Sequence, residues 1–292
     1  MEHPKRLFLF AGYSKGTSVD DSLILYVSEL SKHGDVIVCM DNDLKLQDLS
    51  PLKKYTIHTI AKRHGEYDFG SYKRAYEYAD KNKLLSKYDY VYLVNDSVFG
   101  PLFDISDTLN KIESLDTDAG GLVVAKHKTH SYMESWFVRL NKKIATSNWF
   151  KKFIMSVTKQ PSKAQITIKY EHGLSNLIHE HKHSWSGLYS FHGRFTYNNP
   201  KYLFKHGCPF VKKACFTRHN GASGNQIKYI LNHCQMRVQL PIISTANKIY
   251  GNDYMNWFLT YNPIKIVLRK IKYALQKIIN GGIWKIIKEL LQ

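Results

Sequence analysis

Residues 88–101 read Tyr-Asp-Tyr-Val-Tyr-Leu-Val-Asn-Asp-Ser-Val-Phe-Gly-Pro. Tyr90 to Val94 is a short aromatic and β-branched run, the pattern of a strand buried on both faces. It stops at Asn95-Asp96-Ser97, three residues whose side chains compete for backbone hydrogen bonds and favour a turn. Gly100-Pro101 bars any continuation. Open α/β sheets place their ligand chemistry at the C-terminal ends of such strands. Here that end would carry an amide, a carboxylate and a hydroxyl. An Asx turn with no further role would use the same residues, so the flanking sequence has to decide.

Upstream, Leu7 to Phe10 reads as a first strand, ending in Ala11-Gly12-Tyr13-Ser14. Asp20 or Ser22 is placed to cap the next helix, whose apolar face carries Leu23, Leu25, Tyr26 and Leu30 and which Gly34 ends. Asp35 to Met40 forms a second strand, closing on Asp41-Asn42-Asp43, and Tyr55 to Ile60 a third. A helix from Tyr72 to Asp80 then feeds the strand at Tyr90. This alternation predicts an α/β fold, a mostly parallel doubly wound sheet with helices on both faces. Gly12 to Thr17 lacks the Gly-Lys-Ser/Thr order of a P-loop, and no G-x-G-x-x-G follows the first strand. The strand ends are acidic instead: Asp41 and Asp43, Asp68, then Asp96. Carboxylates at one sheet edge suit a ribose, a base and a metal-bound diphosphate, since Mg²⁺ is typically held by one or two carboxylates plus substrate phosphates.

The 292 residues suffice for one large domain or two modest ones, and 43% hydrophobic with 13% aromatic residues is a globular composition. The apolar segment Leu7 to Ala11 is too short for a signal-peptide core, and no run approaches the roughly 20 residues of a membrane span. Cys39, Cys208, Cys215 and Cys234 are scattered, without zinc spacing, as expected of reduced cytoplasmic thiols. A formal charge of +18 points to an anionic partner: nucleic acid, anionic lipid or a phosphate-bearing substrate.

Three segments together carry a resemblance: Gly65 to Gly70, the Asn-Asp-Ser-Val-Phe-Gly-Pro run, and Tyr-Glu-His-Gly-Leu-Ser at 170–175. Over residues 5–220 the chain resembles the rhamnan synthesis protein F family, bacterial glycosyltransferases of cell-surface polysaccharide assembly. The resemblance implies an A-type glycosyltransferase fold in which Asn95-Asp96-Ser97 stands where other members of that fold carry Asp-x-Asp. Only Asp96 then remains as a carboxylate for Mg²⁺ or Mn²⁺. Tyr132 to Val138 resembles the family's His-Leu-Gln-Ser-aromatic segment, with Tyr132 and Glu134 in place of His and Gln. Glu134 and Ser135 would touch donor sugar or acceptor there, although an edge strand with Trp136 and Val138 packed inward reads equally well. Cys208 to Phe216 resembles the family's Pro-Phe-x-Lys segment, and Lys212, Lys213 and Arg218 would neutralise the departing diphosphate.

Inverting sugar transfer needs a carboxylate to take the acceptor hydroxyl's proton. Glu171 is read as opening a helix to about His181, where backbone amides and the helix dipole favour its ionised form. A capping carboxylate is the competing role. His179, His181, His183 and His192, with His172 nearby, do not match zinc spacing; a solvated loop, or one lining the acceptor groove, is expected. Asn199-Pro200 and Gly224 to Asn232 open and span two further helices.

From Pro263 the character changes. Ile264, Leu268, Ile271, Leu275 and Ile278 recur at helical spacing, continued after Gly281-Gly282 by Ile283, Ile286, Ile287 and Leu290. Seven basic residues accompany them against one acid, Glu289. Such a pair of basic amphipathic helices suits an anionic membrane surface, with packing on the enzyme body as the alternative. The expected organisation is a glycosyltransferase domain over 1–262, split into a nucleotide-sugar half (1–118) and an acceptor and catalytic half (119–262), followed by C-terminal amphipathic helices over 263–292. The expected activity moves a sugar, rhamnose by the resemblance, from a nucleotide-diphosphate donor to a lipid-linked or polysaccharide acceptor at the inner face of the plasma membrane. A non-catalytic sugar-binding scaffold of the same pathway is the first competing reading. Nucleic-acid binding is the second, and it finds no recognised motif.

Overall fold

The computed structural model describes residues 4–45 and 48–260 and, beyond them, only 264, 267, 268, 271, 272 and 275. The chain opens with β1 (Arg6–Gly12), α1 (Asp21–Leu30), β2 (Asp35–Met40), β3 (His58–Ala61), α2 (Tyr67–Lys81) and β4 (Tyr90–Asn95). All four strands are parallel, in the order β3-β2-β1-β4. β1 is buried along its whole length because the sheet is covered twice. Alternate side chains point to opposite faces. Leu7 and Leu9 therefore meet Phe69, Tyr72 and Tyr76 of α2, while Phe8 and Phe10 meet Leu23, Tyr26 and Leu30 of α1. The doubly wound sheet is as expected, and β2 and β4 lie where the pattern put them.

Three local expectations fail. Residues 55–57 do not join β3, because Ser50–Tyr55 coils as a 3₁₀ turn started by Pro51. The α2 helix starts at Tyr67 rather than Tyr72. Asp20 precedes α1 but does not cap it: its Oδ1 accepts from Ser14 Oγ at 3.1 Å and Lys248 Nζ at 2.7 Å.

After β5 (Val98–Phe99) and α3 (Ser106–Glu113), the sheet continues through β6 (Ala119–Lys126), β7 (Ser131–Met133) and β8 (Phe137–Asn141). β8 is antiparallel to both β4 and β6 and so sits inside the sheet, against the competing reading of an edge strand. β7 pairs with the other end of β6, so β7 and β8 act as one strand broken at Glu134-Ser135-Trp136. Such a break re-aims side chains out of the ladder. Along the other edge of β6 runs β9 (Trp185–His192), in a stretch expected to be loop. One sheet thus crosses residue 118.

Four short or interrupted helices, α4 (Lys142–Ala145), α5 (Asn148–Met155), α6 (Lys163–Ile166) and α7 (Gly173–Glu180), lie before β9. After it come α8 (Phe195–Asn198), α9 (Pro200–Lys205), β10 (Val211–Lys212), α10 (Gly224–Asn232), α11 (Met236–Tyr250) and α12 (Asn252–Leu259). β10 returns to pair antiparallel with β5, Lys212 opposite Val98. α11 docks on α1 through Ser22 N–H to Thr245 Oγ1 at 3.0 Å and Arg237 to Glu29 at 3.0 Å.

A buried ion pair ties the sheet to α3. Arg6 donates to both Glu113 oxygens at 2.6 and 2.8 Å, and Tyr92 donates to the same carboxylate. Glu113→Leu strands the Arg6 guanidinium and should lower stability on the order of 3–5 kcal/mol. An unfolding free energy, from urea titration, lowered by less than a quarter of that would show that water reaches Arg6.

Candidate active site

The turn after β4 is built by its own side chains. Ser97 N–H donates to Asn95 Oδ1 at 3.0 Å, the Asx geometry foreseen, and Asn95 Nδ2 donates to Asp68 Oδ2 at 3.0 Å. Asp96 N–H donates to Ala11 O at 3.1 Å, extending the β1–β4 ladder by one residue. Asp68 was read as a strand-end residue; it lies instead in the first turn of α2, brought to the edge by Asn95. A tight approach makes this possible. A Cβ on Gly70 would lie 2.3 Å from Glu66 Cβ and 2.6 Å from the His64 ring, so only glycine lets the helix begin there. Asp41, at the end of β2, accepts His64 N–H at 2.8 Å and Gly65 N–H at 2.9 Å through one oxygen.

These residues surround a cavity of about 630 Å³ at the C-terminal ends of β1, β2 and β4, lined by Gly12, Asp41, Asp68, Asp96 and Ser97. Five cationic side chains stand around it: Lys15, Arg63, Lys159, Lys163 and Lys213. Asp43 is set apart. It accepts Arg63 N–H at 3.1 Å and lines a smaller adjoining hollow.

A second cavity, about 800 Å³, shares Asp68, Ser97, Lys163 and Lys213 with the first. The broken β7–β8 strand supplies Glu134, Ser135 and Trp136 to its wall, and Glu171 lines it with them. Glu171 does not open a helix. Lys163 starts one, and a π-helical turn over Thr167–His172 separates α6 from α7, with Glu171 inside it. Without a free helix N-terminus the carboxylate lacks the stabilisation expected for it. Burial pushes its pKa above the ordinary value; Glu134 and Asp68 push the same way against Ser135 and Lys212. Ser135 Oγ donates to Glu171 Oε1. The Asp68 carboxyl is also raised, first by burial and then by Asp96 and Asp41, with Lys163 and Lys212 opposing.

Glu134 is held differently. Its Oε2 accepts Trp136 Nε1–H at 2.7 Å and lies 3.2 Å from Lys212 Nζ. Burial is the largest influence on the Lys212 ammonium and would lower its pKa, but Tyr197, Glu134 and Glu171 outweigh it and leave the value raised. β10 and the residue after it thereby bring in two ammonium groups: Lys212 on Glu134, and Lys213 Nζ at 3.2 Å from Asp96 Oδ2. Arg218 lines the second cavity and donates to Asn198 Oδ1 at 2.6 Å.

Asp41, Asp68, Asn95, Asp96, Ser97, Glu134, Ser135, Glu171, Lys212, Lys213 and Arg218 therefore line one continuous pair of cavities. His179, His181, His183 and His192 line neither. His181 stacks on Trp149 with centroids 4.7 Å apart, and His183 Nδ1 meets Asp118 Oδ2 at 2.9 Å. Lys163, His127 and His130 were not anticipated. The aromatic alternation of Trp185, Tyr189 and Phe191 is the sequence signal of β9.

Among the described residues, no three His, Cys, Asp or Glu side chains converge to hold a metal ion. Asp96 offers a single carboxylate, already facing Lys213, and a divalent cation there would depend on donor phosphates for its remaining ligands.

The profile of the family described as rhamnan synthesis protein F matches residues 36–279. No curated protein matches the chain. Among solved structures, the glycosyltransferase GlyE of Streptococcus pneumoniae is 13% identical, with a TM-score of 0.42, covering 89% of this chain and 65% of its own. A protein assigned as a nucleotide-diphospho-sugar transferase from Desulfovibrio desulfuricans is 14% identical, with a TM-score of 0.39, covering 85% and 97%. TarS of S. aureus is 11% identical, with a TM-score of 0.33, covering 87% and 55%.

Proposed function

The chain belongs to the rhamnan synthesis protein F family, and on that premise we propose how it works as a glycosyltransferase of polysaccharide synthesis. The nucleoside diphosphate of the donor occupies the cavity at the strand ends, and the acceptor occupies the second cavity. The observation that carries this reading is the junction: Asp68, Ser97, Lys163 and Lys213 line both spaces. A donor seated with its diphosphate there would present its anomeric carbon to the side where Glu171 lies. The transferred sugar is rhamnose, after the family's name.

Glu171 takes the proton of the acceptor hydroxyl as its oxygen attacks the anomeric carbon from the face opposite the diphosphate, so configuration inverts. Ser135, donating to the same carboxylate, fixes its orientation. A pKa raised by burial moves this base toward neutrality, where a general base is most effective. As the bond to the diphosphate breaks, Lys213 and Lys163 face the charge that develops, with Lys212 and Arg218 behind them. A divalent ion such as Mg²⁺ or Mn²⁺ arriving with the donor would be held by Asp96 and would supply further neutralisation.

Calorimetry against a panel of nucleotide sugars tests the donor assignment directly. Micromolar binding of one nucleoside diphosphate series is expected, and none at millimolar concentration would sink it. Binding without turnover would identify a sugar-binding scaffold.

The acceptor is a lipid-linked saccharide or a polysaccharide, and residues 263–292 hold the enzyme at an anionic inner membrane face. In support, Ile264, Val267, Leu268, Ile271 and Leu275 are 49–70% exposed. The remaining residues of the stripe and its basic partners, Lys272 apart, lie outside the described residues. No helix among the described residues is long and apolar enough to cross a membrane. The full chain should therefore sediment with vesicles containing phosphatidylserine and be released by salt, each basic residue near the surface contributing roughly 1 kcal/mol. Leu268→Asp with Ile271→Asp should abolish sedimentation and spare donor binding. Sedimentation of that double variant at the wild-type level would remove the stripe from the membrane contact.

A further inference from the structure

We propose that the rings of His127, His130, Tyr132 and His172 form an acceptor subsite, a platform on which a pyranose ring of the acceptor saccharide lies. The inference rests on the donor and acceptor assignment above and names the residues of the second cavity that would hold the acceptor's sugar ring. The four rings come from two separate elements. His127, His130 and Tyr132 sit on the hairpin between β6 and β7, closed by His127 N–H donating to His130 O at 2.8 Å. His172 ends the π-helical turn, immediately after Glu171.

Three of the rings are stacked nearly parallel, and His172 leans against them, 30° from Tyr132 and 43° from His130. Tyr132 and His172 have centroids 3.9 Å apart. His130 lies 4.8 Å from His172 and 4.8 Å from His127, the latter pair tilted by only 10°. His127 is also nearly parallel to Tyr132, 5.8 Å away at 8°. All four line the cavity that holds Glu171. His127 and His130 are exposed and Tyr132 and His172 only partly buried, so these rings are not core packing.

Chemistry then selects the occupant. The C–H face of a pyranose is apolar and slightly positive, and it stacks on the negative face of an aromatic ring. Its hydroxyls meet imidazole nitrogens that donate or accept, and the Tyr132 hydroxyl. A metal site would need lone pairs converging on one point. These rings instead overlap face on face, and no convergent set exists among the described residues. A nucleobase would also stack, but the strand-end cavity lies on the other side of Asp68 and Ser97. Glu171, the carboxylate to which a hydroxyl of that saccharide would pass its proton, lines the same cavity.

The test uses the full chain and two readouts: calorimetry with nucleoside diphosphates, and saturation-transfer NMR with methyl pyranosides and small rhamnose and glucose oligosaccharides. Wild-type protein should show saccharide contact. His130→Ala, Tyr132→Ala and His172→Ala should each weaken it about tenfold or more, while nucleoside-diphosphate affinity stays within about twofold. Tyr132→Phe and His172→Phe keep the ring faces and should retain most of the contact. His130 is exposed, so its alanine variant remains informative even where the others fail to fold. Absence of saccharide contact in the wild type, or unchanged contact in all three alanine variants, overturns the platform. A loss of nucleotide affinity instead assigns the rings to the base and overturns it too. The donor assignment itself fails only if the wild type binds no nucleoside diphosphate.

Discussion

Glu171→Gln is expected to lower sugar transfer by about 10²–10⁴-fold, the span usual for a positioned general base, with donor affinity unchanged. The amide keeps the shape and can still receive the Ser135 hydroxyl. What it loses is the capacity to take the acceptor proton. In the wild type, transfer should rise with pH through the raised pKa of Glu171 and then level off; in the variant that acidic limb should flatten. Stability should respond in the opposite sense. Burial holds the folded-state pKa above that of the unfolded chain, so the carboxyl's contribution is fully present at low pH and is lost as pH rises through the folded value. Glu171→Gln cannot ionise and should melt higher than wild type at neutral pH, the gap closing in acid. Normal turnover in this variant would pass the base role to Glu134, a poorer candidate because Trp136 and Lys212 already occupy its carboxylate.

Most of the first hundred residues could be read because their signals are local. A fully buried strand leaves a continuous apolar run, and β2 and β4 are of that kind. Asn95-Asp96-Ser97 marked the candidate site because the C-terminal end of a buried strand is where open α/β sheets place their ligand chemistry. The same reasoning misread segments whose conformation is set by distant partners. Asp68 reaches the sheet edge through Asn95, and Gly70 lets α2 begin early, contacts no local pattern reports. β9 exists because β6 offers it an edge. Glu171 was recognisable as a residue but not in its setting: a π-helical turn has no distinct periodicity, so the direction of its pKa shift was read with the wrong sign. The ring platform was hidden for a similar reason, since Tyr132 and His172 lie far apart in sequence and meet only when β7 and the π-helical turn are packed together.

Asp96→Asn is expected to cut transfer by about 10²-fold or more, the usual consequence of removing one preorganised electrostatic group, while leaving the melting temperature near that of wild type. The turn does not depend on the lost charge. Asn95 and Ser97 close it between themselves, and the Asp96 backbone amide pairs with Ala11 whatever the side chain. The charge serves the diphosphate instead, and it can do so in two ways that separate experimentally. Asp96 fixes Lys213, whose ammonium lies 3.2 Å away and lines both cavities. It is also the carboxylate available to a divalent ion bound with the donor. If the lysine carries the leaving-group charge, Lys213→Met should match the loss seen in Asp96→Asn, and a chelator should change neither wild type nor variant. If the ion carries it, chelation should reproduce the Asp96→Asn defect in wild type, added Mn²⁺ should reverse it there, and Lys213→Met should be the milder change. Near-normal turnover of Asp96→Asn under both conditions would take Asp96 out of the chemistry. The neutralising role would then fall to Lys163 and Lys212, the other ammonium groups lining the second cavity beside Asp68 and Ser97.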